Sequence, residues 1–157
     1  MSCDAVALAA TLWLATTGPA PSPGPTPAVA STPPAVASEP LFADIVRRAG
    51  ELRAETRTYE QGPLDRDASH LAGFAGLETR IGQLAELDMQ GHVILVERGV
   101  TDDLKCILKG ISQDLPVKLK ALETAADARS RHAALDDMFY LLRDNVEVIT
   151  SPPQPAA

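Results

Sequence analysis

The chain has 157 residues, 13 prolines, two cysteines and a formal net charge of −7, from 14 Lys/Arg against 21 Asp/Glu. Nucleic-acid binding is disfavoured, because a phosphate backbone rewards a basic stripe and the basic residues here are interleaved with acids. Two cysteines with no Cys-x-x-Cys spacing exclude a dithiol redox motif, a c-type haem attachment site and a thiolate zinc site within one chain.

An apolar run from Ala5 to Ala15 opens the chain. It has the length of a signal-peptide core and falls short of the roughly 20 residues that a membrane-spanning helix needs. Residues 1–18 are therefore read as a candidate signal peptide, although Asp4 stands where positive charge is usual. Cys3 precedes the run, so a lipoprotein pattern does not fit. The expected location is periplasmic or secreted. The alternative is a cytoplasmic protein that keeps this segment.

Eight prolines lie between Pro19 and Pro40, with no large side chains beyond two valines. Such a tract cannot form helix or core, and residues 19–40 are expected to be a disordered, extended spacer. A Pro-rich arm read by an adaptor-type partner is the other use for such a tract.

From Leu41 onward the apolar spacing is helical. The first helix is expected after Ser38 as N-cap, with Pro40 in the first turn and an inward stripe of Leu41, Phe42, Ile45, Val46, Ala49, Leu52, Thr56 and Tyr59. Gln61, Gly62 and Pro63 end it. A second helix is expected to start between Leu64 and Ser69 and to bury Leu71, Phe74, Leu77, Ile81, Leu84 and Ala85. Gly73, Gly76 and Gly82 weaken it by about 1 kcal/mol each relative to alanine, or allow a neighbour to approach.

Residues 91–99 are ambiguous, because four branched apolar residues between glycines also suit a buried strand. Phase favours helix: at about 100° per residue, His92, Leu95 and Val96 continue the stripe of Phe74, Ile81 and Leu84. No second strand candidate exists to pair with a strand here.

Thr101 is the expected cap of a third helix, with the stripe Leu104, Ile107, Leu108, Ile111, Leu115, Leu119 and Leu122. Pro116 either kinks that helix or starts a fresh one. The last helix runs from about Asp127 to Ile149, with Ala128, Leu135, Met138, Phe139, Leu142, Val146 and Ile149 inward. The fold class is all-α: an up-and-down bundle of about four helices over 41–150 behind a disordered Pro/Ala-rich N-terminal segment, followed by a disordered tail over 151–157.

No catalytic motif stands out, and the candidate sites are few. Asp88 and His92 are four residues apart on one stripe and, with His132 of the last helix, could share a divalent metal. His70 lies eighteen residues from Asp88, roughly 27 Å along a helix, and cannot join them. Met89 and Met138 with the histidines could in principle hold a haem, although methionine on a helical stripe is ordinarily core filler. No cofactor is otherwise called for.

Cys106 lies about 200° around its helix from Leu104, on the outward side. If residues 1–18 are removed it is a lone thiol suited to an intermolecular disulfide; the other reading is shallow packing against a neighbouring helix. Tyr140, Leu141 and Val148 fall off the main stripe of the last helix, so they either contact a second helix of the bundle or form a partner surface. Arg47, Arg48, Arg53 and Arg57, interleaved with Asp44, Glu51 and Glu55, read as a solvated face. The leading expectation is an exported, non-enzymatic bundle that works through contacts with a protein partner or as a homodimer. Metal or haem binding and a cytoplasmic adaptor are the alternatives.

Overall fold

The computed structural model describes residues 36–100 and 103–151. Four helices carry the fold: α1 (Pro40–Glu60), α2 (Phe74–Glu97), α3 (Leu104–Thr124) and α4 (Ala128–Thr150), with short 3-10 turns at Val36–Ser38 and Ala68–His70. No strand occurs among the described residues. The leader and spacer assigned to 1–18 and 19–40 lie outside the described residues up to position 35, as does the tail from 152.

α1 packs against α2 and α4, and α3 packs against the same two, so the helices run up and down around a square with α2 facing α4 across one diagonal. Each helix turns its apolar stripe to a common centre. Phe42, Ile45, Leu52, Leu77, Ile81, Leu84, Leu95, Leu108, Leu115, Leu122, Leu135 and Leu142 are all at most 1 % exposed. Burying a side chain of this size contributes roughly 1.5–3 kcal/mol, which explains why weak local signals still give a closed bundle.

The helix starts differ from expectation in ways that local chemistry explains. Glu39, not Ser38, holds the cap position of α1 and is extended, with φ −73° and ψ 141°. Proline at the first helical position imposes this: it needs no amide partner there, and it keeps the residue before it out of the helical region. α2 begins at Phe74, about five residues later than the latest expected start. The chain between is held by buried Leu64 and Ala68, and Gly73 makes the final reversal at φ +79°, a backbone state that suits glycine.

Residues 91–97 continue α2 without a break, as phase predicted, but of the three residues placed on its stripe only Leu95 is buried: His92 is half-buried and Val96 is exposed on the outer side. Gly91 is buried, and a β-carbon there would lie 3.2 Å from Leu108 Cδ1 and 3.2 Å from Phe42 Cε1. This glycine brings α1 and α3 close to α2. Gly76 and Gly82 have open space around them and only lower helix stability.

The expected Thr101 cap lies outside the described residues; the residue before α3 is Asp103. α3 is one helix with Pro116 inside it, and the proline ring is exposed. α4 has a full capping box. Ser130 N donates to Asp127 Oδ1 at 2.7 Å, and Asp127 N donates back to Ser130 Oγ at 3.1 Å. Ala128 is exposed and Phe139 and Val146 are half-buried, so the inward face of α4 is shifted toward Arg131, Ala134 and Asn145.

The flanks are charged. Arg47 pairs with Asp44 and with Glu51, and Arg48 with Asp44, as expected of a solvated face. Arg98 holds Glu39 at 2.7 Å and Arg80 holds Glu55 at 2.6 Å, both between α1 and α2. Exposed pairs of this kind contribute roughly 0–1 kcal/mol each, so they set register more than stability.

Candidate functional site

The polar centre of the bundle is a pair that spans its diagonal. Asp88 of α2 and Asn145 of α4 are both 0 % exposed, and Asn145 Nδ2 donates to Asp88 Oδ2 at 2.8 Å. Asp88 Oδ1 and Asn145 Oδ1 are buried without a hydrogen-bond partner. Burial pushes the Asp88 carboxyl up to about 8, with the hydrogen bond from Asn145 acting in the opposite direction. At neutral pH this side chain is therefore mostly a carboxylic acid. Because it does not reach the surface, it meets no soluble substrate in this conformation.

The three residues proposed from the sequence as metal ligands do not come together. His92 sits one turn beyond Asp88, half-buried, and its Nδ1–H donates to the Lys105 carbonyl at 2.6 Å. His132 is exposed, thirteen residues before Asn145, or about 20 Å along α4. It lines a groove of about 630 Å³ with Glu60, Leu64, Arg129 and Asp136. Among the described residues no group of three His, Cys, Asp or Glu side chains is placed to hold a metal ion. Of the methionines named as haem ligands, Met138 is buried in the core at 1 % exposure, and Met89 is half-buried.

Asn145 went unnamed in the sequence, yet the signal was there. It takes its place in the series Leu135, Met138, Leu142, Asn145, Ile149, whose spacing of three and four marks an inward stripe. A polar residue in such a series has to find a polar partner inside. Arg131, four residues before Leu135, follows the same rule. It is buried, with Nε donating to the Leu64 carbonyl and Nη1 to the Ala125 carbonyl, each at 2.9 Å.

The candidate partner surface divides. Leu141 and Val148 pack against the core, on the flank of α4 that also carries Asp137, the partner of Lys118 of α3 at 2.8 Å. Tyr140 remains outside at 47 % exposure. The Arg143 guanidinium lies 4.8 Å from its ring centre, and the Phe139 ring meets it edge-on at 5.9 Å. Arg143 is itself held by Asp144 at 3.0 Å and Glu147 at 3.5 Å.

Cys106 is half-buried and is not a free thiol. A second groove, of about 640 Å³, opens at the start of α2 and is lined by Asp67, Phe74, Glu78 and Glu123. Among the described residues no helix is long and apolar enough to cross a membrane.

Comparison with protein-family models, with curated proteins and with solved structures finds no match to this chain.

Proposed function

We propose that this chain is an exported, non-enzymatic helical-bundle domain that acts through protein contacts made by the outer face of α4 around Tyr140. The observation that carries this reading is a half-exposed aromatic ring with an arginine stacked on it, on a helix whose off-stripe aliphatic residues Leu141, Val146 and Val148 pack against the core. Tyrosine and arginine dominate interface energetics because each offers a large contact area together with a polar end. Asp144 and Glu147 hold Arg143 in place before any partner arrives, which lowers the ordering cost of association. The Pro-rich composition ahead of Val36 supports the same role, as a spacer that gives the bundle reach, while residues 36–40 belong to the bundle itself.

The test is a photo-crosslinking residue placed at position 140 in the native cell, with position 90 on the exposed side of α2 as control. A discrete adduct at 140, absent at 90 and lost in Arg143→Ala, supports the reading whether the captured chain is another protein or a second copy. No adduct at 140, or the same adducts at both positions, overturns it.

A further inference from the structure

We propose that a single proton joins Asp88 and Asn145 into a neutral acid–amide pair with two hydrogen bonds, and that this pair is a proton-operated latch across the bundle's diagonal. One bond is the 2.8 Å contact from Asn145 Nδ2 to Asp88 Oδ2. The two oxygens left over, Asp88 Oδ1 and Asn145 Oδ1, belong to the same two side chains and both lack a donor. Both are acceptors when Asp88 is ionised, so they repel. A proton on Asp88 Oδ1 makes it a donor that Asn145 Oδ1 can accept, and every buried oxygen of the pair then has a partner. Loss of that proton to solvent base leaves a carboxylate in the core with one amide to stabilise it, an arrangement that favours opening.

The surroundings supply no competing charge. A β-carbon at Gly91, one turn along α2, would meet Phe42 and Ile45 of α1 and Leu108 of α3, which fixes the height of the pair in the bundle. There α1 turns Ile45 and Ala49 inward, α3 turns Leu108, Ile111 and Ser112, and α4 turns Leu142 and Ile149. The titratable groups at this height lie on the flanks. Asp44 and Arg48 of α1 are paired, and His92 of α2 is bound to the Lys105 carbonyl. On α3, Lys105 Nζ donates to the Val100 carbonyl and Lys109 is half-buried; on α4, Asp144 is held by Arg143. Asp88 is thus set by burial and by Asn145, in keeping with its shift toward about 8.

The sign follows from linkage. The unfolded carboxyl ionises near 4 and the folded one near 8, so the folded state holds the proton more tightly throughout that window. The contribution of Asp88 is complete below about pH 4 and is lost progressively up to about pH 8. The latch is independent of the contacts proposed for α4.

Urea unfolding of the full chain and of Asp88→Asn, from pH 4 to 9, tests it. Asparagine keeps both hydrogen bonds and cannot ionise. The ratio of the two unfolding equilibrium constants, wild type over variant, should rise about tenfold for each pH unit up to about 8 and then level off. A ratio that does not change with pH overturns the proposal. Should Asp88→Asn fail to fold, infrared spectra of the wild-type chain decide: a protonated carboxyl band present at pH 6 and lost above pH 9 supports the latch, and its absence at pH 6 overturns it.

Discussion

Arg131 Nε donates a 2.9 Å hydrogen bond to the carbonyl of Leu64, a residue 67 positions earlier in the chain, from a side chain that is almost wholly buried. Its Nη1 reaches the Ala125 carbonyl as well. One guanidinium thereby fastens the α1–α2 connection to the turn between α3 and α4. Arg131→Met should cost about 2–3 kcal/mol, because two backbone carbonyls lose charged donors and the one beside Leu64 is poorly placed to recover water. Arg131→Lys should recover less than half of this loss, since an ammonium cannot reproduce the planar fork. Urea denaturation of the three proteins checks both values.

Two glycines of α2 should respond oppositely to substitution. Gly91→Leu places a branched side chain where even a β-carbon stands 3.2 Å from Leu108 and Phe42, and overpacking of this kind costs about 1–3 kcal/mol. Gly82→Ala meets nothing within 4 Å and should stabilise the bundle by up to about 1 kcal/mol through helix propensity. Thermal unfolding followed by circular dichroism distinguishes the two directions.

The proposed export has a spectroscopic consequence that follows from composition. Trp13 is the single tryptophan and lies within the segment read as a signal peptide, whereas Tyr59 and Tyr140 lie in the bundle. Protein recovered from the native cell after removal of residues 1–18 should show tyrosine emission alone, and its intact mass should fall by the mass of the leader. Tryptophan emission at full mass would contradict export with cleavage.

Much of this fold is legible in the sequence because the apolar stripes are long. Phase alone carries α2 through residues 91–97, where a run of branched residues would otherwise suggest a strand, and the spacing from Leu104 to Leu122 survives Pro116. The start of α2 is harder to read. Leu64 and Ala68 are apolar at helical spacing, but they serve to anchor a loop, Leu64 through its carbonyl on Arg131 of α4 and Ala68 in a turn that packs on α2 and α3, and only tertiary contact reveals that use. At the candidate site, Asp88 is visible as an acid on an inward stripe, and its partner only by its place in the stripe of α4. The histidines at 92 and 132 attract attention as metal-binding residue types, while Asn145 is plain by type and informative only by position. Leu141 and Val148 share one flank of α4, beside Asp137, which pairs with Lys118 of α3, and Tyr140 stands about 100° from Leu141 on the outer face, a division that a shared off-stripe reading conceals.

The proton proposed to join Asp88 and Asn145 makes the centre of this bundle a neutral acid at pH 7. The carboxyl-carbon chemical shift of Asp88, assigned by comparison with Asp88→Asn and followed by NMR from pH 4 to 10, reads that directly. A protonated shift at pH 7 and a single transition near pH 8 are expected, in accord with burial raising this carboxyl from its usual range. A carboxylate shift already present at pH 6, with a transition near 4, would contradict it.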